Sequence, residues 1–196
     1  WRGCSLNILN NIIFSISKNK KLYQNKDHHD YLFSSARSAL KFVLDSFNIG
    51  FGDEVILSSF TCDAVTKAIL ANKSVPVYID ISSDLSMDKS SILNAINEKT
   101  KAIIVQNTFG RLGISEELID FFKNKNILMI EDNCLSIGSE LNGRKLGTFC
   151  PISIWSLEVS KTLTIGWGGV MKINDVNLLP IINDNLIISG LVPITV

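Results

Sequence analysis

Neither positive nor negative charge is in excess in this sequence. Nineteen Lys and Arg residues balance nineteen Asp and Glu residues over 196 positions. The balance argues against the basic surface of nucleic-acid-binding proteins and against a polybasic membrane patch. No uninterrupted apolar run approaches the ~20 residues of a membrane-spanning helix. No small-residue cleavage site follows the apolar residues near the N-terminus. We therefore expect a soluble, cytoplasmic protein that binds neither nucleic acid nor membrane.

Cysteine and histidine are also scarce, and their spacing does not suit a metal site. The four cysteines are Cys4, Cys62, Cys134 and Cys150. They form no Cys-x-x-Cys pair, which is simplest to explain in a reduced cytosolic protein, with two disulfides as the alternative. The only histidines, His28 and His29, are adjacent in a polar stretch, and neighbours along an extended chain point apart. We expect a solvated loop there and no bound metal.

The glycine-rich loops Gly-x-Gly-x-x-Gly and Walker A are absent, which argues against a generic nucleotide-binding domain. The sequence instead alternates short Val- and Ile-rich strands with helices. This pattern predicts an α/β fold, a mostly parallel sheet sandwiched by helices, after an N-terminal arm over residues 1–33. The predicted strands span 54–58, 75–80, 101–106, 126–132, 152–156 and 169–173. A helix capped by Ser35 ends at Gly50, and further helices are predicted over 63–71, 90–96 and 116–125.

Polar side chains follow several predicted strands, at the edge where ligands bind in open parallel sheets. They are Ser59, Thr61, Asn107, Thr108, Asp132 and Ser156. Lys161 lies in a turn after the strand that ends at Ser156. A lysine amine can form a Schiff base and an aspartate can hold a ring nitrogen, so Lys161 and Asp132 suit a pyridoxal phosphate site. The alternatives are a surface lysine, an aspartate that caps a turn, a Ser35 that caps its helix only, and a core Trp167.

The motifs in this order resemble those of the DegT-type (DegT/DnrJ/StrS) sugar aminotransferases, pyridoxal-phosphate enzymes of the aspartate-aminotransferase fold (fold type I). The resemblance covers about residues 34–175. Its pieces are Ser-Ser-Ala-Arg-Ser-Ala-Leu from residue 34, Gly-Asp-Glu-Val-Ile-Leu-Ser-Ser-Phe-Thr from 52, Val-Pro-Val-Tyr-Ile-Asp-Ile from 75, Thr-Lys-Ala-Ile-Ile-Val-Gln-Asn-Thr-Phe-Gly from 100, Ile-Glu-Asp from 130, Asn-Gly-Arg-Lys-Leu-Gly-Thr-Phe from 142, and Lys161 between Ser156 and Gly-Trp-Gly-Gly.

The resemblance implies a role for each residue of the site. Lys161 is expected to form the Schiff base and to move the proton, and Asp132 to face the pyridine nitrogen. The Ser156 hydroxyl and the main-chain amides of Ala36 and Arg37 are expected to bind the cofactor phosphate, since a helix begins there. The implied reaction moves an amino group, from glutamate, to a nucleotide-linked keto sugar in a homodimer.

Two positions depart from the pattern of the family. Cys62 stands where an aromatic ring often stacks on the cofactor, so we expect a smaller contact with the cofactor there. Leu135 stands where Gln or His often reaches the phenolic oxygen, and it cannot donate a hydrogen bond. Asn107 is a candidate to replace that donor.

The resemblance further implies a second, smaller domain. We expect an N-terminal arm (1–33), a cofactor-binding large domain (34–178) and the start of a connection to the small domain (179–196), as in a fragment or a truncated product. The alternative function is a catalytically impaired or non-catalytic binding module. A pyridoxamine-dependent sugar dehydratase is disfavoured, because such enzymes replace the lysine that Lys161 retains.

Overall fold

The computed structural model describes residues 29–188 as a seven-stranded sheet with helices on both faces and a separate two-stranded ribbon. The strands of the sheet are β1 (Asp30–Phe33), β2 (Glu54–Ser58), β3 (Val75–Ile79), β4 (Thr100–Gln106), β5 (Leu128–Asp132), β8 (Ile152–Ser156) and β9 (Gly169–Ile173), and the ribbon consists of β6 (Glu140–Leu141) and β7 (Arg144–Lys145). The helices are α1 (Ala36–Ser46), α2 (Asp63–Ala71), α3 (Lys89–Ala95), α4 (Glu116–Lys123) and α5 (Leu179–Ile188), with short 3₁₀ turns at Thr108–Gly110 and Val176–Leu178.

The strand order is β1-β9-β8-β5-β4-β2-β3, and the five strands from β8 to β3 are parallel. Only β9 and β1 add antiparallel pairs at one edge. The predicted α/β fold with a mostly parallel sheet is confirmed. Since parallel strands share one direction, β2, β4, β5 and β8 all end at the same edge of the sheet, which we call the carboxyl edge.

Two apolar cores cover the two faces of the sheet, which explains why the central strands are continuous Val- and Ile-rich runs. One core packs Leu44 of α1 and Ile69 of α2 against alternate residues of the strands, among them Ile130 and Ile154. The other packs Ile92 of α3 and Phe122 of α4 against the intervening residues. Because side chains alternate along a strand, Asp132 and Ser156 lie on the α1 face, two residues beyond Ile130 and Ile154.

The edge strand β1 differs from the sequence prediction, which has no regular structure before residue 34. Asp30–Phe33 pairs with β9 instead, and Tyr31 is 3% exposed. Its hydroxyl donates a hydrogen bond to Asn183 Oδ1 of α5 at 2.9 Å, and burial raises the pKa of this phenol. Four residues are too few to show an alternation of apolar and polar side chains. The strand that pairs with them, β9, is distant in the sequence, so no local pattern predicts β1.

Other elements agree closely with the sequence prediction. The strands β8 and β9 begin and end where predicted, and α2 also matches. Helix α3 begins one residue earlier than predicted because the Asp88 carboxylate accepts the Ser91 amide at 2.7 Å and so caps the helix. Helix α5 packs Ile182 and Leu186 into the core beside α1.

The described residues also bear on metal binding, membrane insertion and the state of the cysteines. Within residues 29–188, no three or more His, Cys, Asp or Glu side chains are grouped to hold a metal ion. No helix in that range is long and apolar enough to cross a bilayer. Cys62, Cys134 and Cys150 are free thiols, while Cys4 and His28 lie outside the described residues.

Candidate active site

The carboxyl edge brings together Asp132, Ser156 and Lys161, three residues predicted from the sequence. Strand β5 ends at Asp132, which is paired with Ile154 of β8, and β8 continues to Ser156. The turn after β8 then carries Lys161, whose amide donates to the Glu158 carbonyl at 2.9 Å. The half-buried Lys161 is close enough for its positive charge to act on both Asp132 and Cys134.

Asp132 is a buried carboxyl group, 4% exposed, and burial raises its pKa. Hydrogen bonds from the thiol and the main-chain amide of Cys134, the latter at 2.9 Å, and the charge of Lys161 oppose this rise in pKa. No ion pair to Asp132 lies within 4 Å among residues 29–188. A buried carboxylate of this kind favours a cationic N–H group placed against it.

The raised pKa of Asp132 predicts how the stability of the fold changes with pH. The folded chain holds the Asp132 proton more tightly than the unfolded chain, so the contribution of this residue to stability falls as the pH rises above about 3.9. Asp132→Asn stays neutral and should therefore raise the free energy of unfolding at pH 7. The gain should shrink towards pH 4.

Urea denaturation of the cofactor-free chain at the two pH values measures this difference. Asp120→Asn is the control, since Asp120 is exposed and paired only with Lys123 on its own helix. An Asp132→Asn variant that is less stable than the parent at pH 7 would contradict the burial argument.

The N-terminus of α1 lies against the start of β9, next to Ser156. The Ser35 hydroxyl accepts the Ser38 amide at 3.1 Å, as the predicted cap requires, and the Ser38 hydroxyl accepts the Ser35 amide at 3.0 Å. The amides of Ala36 and Arg37 precede the first intrahelical hydrogen bonds and point out of the helix. Ser156 pairs with Gly169, and a Cβ built on Gly169 would lie 2.3 Å from the Ala36 nitrogen. The hydroxyl and the amides therefore lie side by side, an arrangement suited to binding an anion, which we call the anion cradle.

Gly169 is the residue that lets the cradle close, because any side chain there would meet the backbone of α1. A Cβ would also lie 2.4 Å from the Ser35 carbonyl carbon. Gly169→Ala should force α1 away from β9, destabilise the fold by about 1–3 kcal/mol, and weaken anion binding. Urea denaturation and phosphate affinity measure the two effects. Gly50→Ala is the control, since its Cβ would meet only Asn72 O, at 3.8 Å; equal losses in both variants would contradict this role.

Asn107 lies at the carboxyl edge as predicted, directly after β4, but its side chain bonds away from Asp132, against the expectation that it reaches a cofactor oxygen. Its side chain is fully buried and donates to Glu131 Oε1 at 2.7 Å and Asn133 Oδ1 at 2.8 Å. Its Oδ1 accepts the Gly113 amide at 2.9 Å. Both donor hydrogens are used inside the protein, on the sheet face opposite to Asp132, so Asn107 has no donor left for a ligand.

The other polar residues predicted at the carboxyl edge, Ser59, Thr61 and Thr108, bond to the side chains of Gln106 and Asp80. The Thr61 hydroxyl donates to Gln106, whose amide nitrogen donates to Thr108 Oγ1 at 2.9 Å. The Ser59 hydroxyl donates to Asp80 at 3.2 Å. The contacts through Gln106 hold the loops after β2 and β4 together, and the Ser59 contact joins the loops after β2 and β3.

Cys62 and Leu135, the two departures from the family pattern, are both open to solvent. Cys62 begins α2 without a side-chain cap, and its thiol lies 3.7 Å from the Asp63 carboxylate. Leu135 is 43% exposed, directly after the Asp132–Cys134 turn. A contact between Cys62 and a cofactor ring stays a prediction. Trp167 is 65% exposed, so the alternative of a core tryptophan is wrong.

The sequence analysis missed Glu131, a fully buried carboxylate beside Asp132. Besides Asn107, Glu131 accepts the main-chain amides of Gly147 at 2.5 Å, Phe149 at 2.9 Å and Cys150 at 3.1 Å. A charged residue inside an otherwise apolar strand is the signal that identifies such a position from sequence. Glu131 ties the loop before β8 to the end of β5, and so fixes the two strands that carry the site.

The assembled site offers three chemically distinct parts: a lysine amine, a buried carboxylate, and an anion cradle of amides and a hydroxyl. A cofactor with an aldehyde, a basic ring nitrogen and a phosphate matches all three. The cradle and the unpaired buried carboxylate therefore fit pyridoxal phosphate on the geometry of this chain alone.

Comparisons with known proteins agree with this geometry. A sequence model described as the DegT/DnrJ/EryC1/StrS aminotransferase family matches residues 22–185. GDP-perosamine synthase from Escherichia coli O157:H7 is 33% identical over 82% of this chain and 44% of its own length. L-glutamine:2-deoxy-scyllo-inosose aminotransferase from Streptomyces kanamyceticus is 35% identical over 69% of this chain and 32% of its own length.

The solved structure of NtdA from Bacillus subtilis with bound cofactor PMP has a TM-score of 0.70 and 26% identity, covering 78% of this chain and 35% of that one. The likeness confirms the predicted fold type I architecture. The chain spans less than half the length of the curated relatives it matches. Because the family model matches most of the sequence, the chain belongs to the DegT/DnrJ/EryC1/StrS aminotransferase family.

Proposed function

We propose that this chain is the cofactor-binding part of a pyridoxal-phosphate-dependent aminotransferase that acts on a nucleotide-linked keto sugar. The observation that carries the proposal is the meeting of Lys161 and the buried Asp132 at one edge of the sheet, with the anion cradle one strand away. The PMP bound to NtdA supports the choice of cofactor.

Each part of the site has a distinct task in this proposal. The bound cofactor supplies an electron-withdrawing ring that stabilises negative charge on the substrate carbon. Asp132 holds the ring nitrogen protonated by its negative charge, and the cradle of Ser156, Ala36 and Arg37 binds the phosphate. The Lys161 amine would hold the aldehyde covalently, with release of one water, and as a free amine it would take the proton from the amino donor and return it during transfer.

The substrates are inferred from what the relatives are named for. GDP-perosamine is a GDP-linked sugar, which supports a nucleotide-linked keto sugar as the amino acceptor. We propose glutamate as the amino donor, while the Streptomyces kanamyceticus relative is named for L-glutamine. Incubation of the cofactor-loaded chain with each donor separately, followed by mass spectrometry of the released keto acid, tests the donor and the half-reaction together.

The alternative function, a binding module without turnover, has a specific observation in its favour. Leu135 is exposed beside the site and offers no hydrogen-bond donor at a position where the family often has one. Release of 2-oxoglutarate from glutamate supports the aminotransferase. Cofactor binding with no keto acid from either donor supports the binding module.

We also propose that the protein acts as a homodimer. The loops that follow β2, β4 and β8 expose the aromatic side chains Phe60, Phe109 and Trp167, which are 49%, 68% and 65% exposed. Large apolar side chains grouped at one edge are typical of interaction surfaces. Sedimentation measurements on the purified chain distinguish a dimer from a monomer.

The division of the chain stays part of this proposal: an arm over 1–33, a large cofactor-binding domain over 34–178, and a connection that starts at 179. Strand β1, within the arm, belongs to the sheet, and helix α5, within the connection, packs on the same core.

A further inference from the structure

Asn107 holds the main chain of Asp132 in place directly. The main-chain amide of Asn107 donates a hydrogen bond to the Asp132 carbonyl at 2.9 Å, one residue after Gln106, the last residue of β4 that pairs with β5. Both residues are buried, with Asn107 at 0% and Asp132 at 4% exposure. The contact fixes the point at which β5 leaves the sheet.

The Asn107 side chain also holds both chain neighbours of Asp132. The side-chain amide nitrogen of Asn107 donates to the Glu131 carboxylate at 2.7 Å and to Asn133 Oδ1 at 2.8 Å. Asn133 is also held by its main-chain amide, which donates to the Ile154 carbonyl of β8 at 2.9 Å. Residues on either side of Asp132 are therefore anchored through a single buried side chain.

Alternation along the strand determines what this anchoring does. Glu131 and Asn133 point to one face of the sheet, and Asp132 points to the other, towards Lys161. With both neighbours and its own carbonyl fixed, Asp132 has a fixed backbone and a narrow range of side-chain directions. A displacement on the Asn107 side is passed through the main chain to the carboxylate.

We propose that Asn107 is a positioning residue for Asp132, which aims the carboxylate at the ring nitrogen of the cofactor without touching the cofactor itself. This inference rests on the proposed function, because it assumes that Asp132 faces a ring nitrogen. Asn107 then acts on the cofactor through Asp132, in place of the direct contact expected from the sequence.

The test measures the contact between Asp132 and the ring nitrogen separately from folding. The probes are pyridoxal phosphate and its analogue in which a C–H group replaces the ring nitrogen, each titrated into the 196-residue chain by calorimetry. In the parent, the ratio of the two dissociation constants should be about 10- to 100-fold, the size of one charge-assisted hydrogen bond. The variants are Asn107→Ala and the milder Asn107→Ser.

Asn72→Ala is the matched control, because it removes a buried side-chain amide just before β3, at the edge of the sheet opposite to Asp132. The Asn72 side-chain amide donates to Asp45 Oδ1 at 2.5 Å, and its oxygen accepts the Ser74 hydroxyl at 3.0 Å. Thermal melting of every variant records the loss of stability alongside the affinity ratio.

The proposal predicts that the ratio falls by about tenfold in the Asn107 variants and keeps the parent value in Asn72→Ala. A parent-like ratio in an Asn107 variant that still binds pyridoxal phosphate would overturn the inference. So would an equal fall in Asn72→Ala, since that result would mean general destabilisation. A parent chain that binds both probes equally, or neither, would overturn the proposed function on which the inference depends.

Discussion

Lys161→Ala should abolish covalent attachment of pyridoxal phosphate and lower any aminotransferase activity by about 10²- to 10⁴-fold, the range for a removed proton-transfer group. The variant should still bind the cofactor weakly, because Asp132 and the anion cradle remain. Its fold should be retained, since the side chain of Lys161 is half-buried in a surface turn. Visible absorbance of the attached cofactor, affinity and thermal melting are the measurements.

Two further variants separate the covalent role of Lys161 from its charge. Lys161→Arg keeps the positive charge that opposes the rise in the pKa of Asp132 and of Cys134, but it cannot form the covalent bond. It should lose attachment as completely as Lys161→Ala. Lys172→Ala is the matched control, because Lys172 is half-buried on β9 opposite Ser153, away from the carboxyl edge. Attachment that survives in Lys161→Arg would show that another amine is used.

Glu131→Gln should be the most destabilising conservative change at the site, by about 3–5 kcal/mol. Glu131 Oε1 accepts from Asn107 and the Gly147 amide, while Oε2 accepts from the amides of Phe149 and Cys150. In either orientation, the glutamine side chain replaces one of the two Glu131 oxygens by an NH₂ group. The two buried donors at that oxygen then face another donor and lose their acceptor. The resulting loss is a large part of a typical protein stability of about 5–15 kcal/mol.

Urea denaturation followed by circular dichroism measures this loss of stability. Glu117→Gln is the control, since the exposed Glu117 only pairs with Lys89 and its loss should cost no more than about 1 kcal/mol. A Glu131→Gln variant within 1 kcal/mol of the parent would contradict the view that this carboxylate anchors the loop before β8.

The residues that sequence analysis identified are those whose chemistry depends on their own position in the chain. Lys161, Asp132 and Ser156 each follow a strand, and the parallel sheet brings the ends of strands together, so one rule predicted their proximity. Ser35 was found as a helix cap because capping is a local pattern. These predictions needed the strand assignments but no knowledge of packing.

The residues that sequence analysis missed or misassigned depend on contacts distant in the chain. Asn107 shares the strand-end signal with Asp132, but the pairing of β4 with β5 turns its amide to the other face, where Glu131 and Asn133 use both its hydrogens. Gly169 belongs to a glycine-rich run, and only the approach of α1 shows why a side chain is excluded there. No local pattern contains either fact.

Locating the amine that binds the cofactor tests whether Lys161 is the reactive lysine of this site. The purified chain is incubated with pyridoxal phosphate, reduced with borohydride, digested, and mapped by peptide mass spectrometry. We expect a single labelled peptide, with the pyridoxyl group on Lys161 and with labelling suppressed by excess inorganic phosphate that competes for the cradle. Absence of label, or label on other lysines while Lys161 stays free, would contradict the assignment of Lys161.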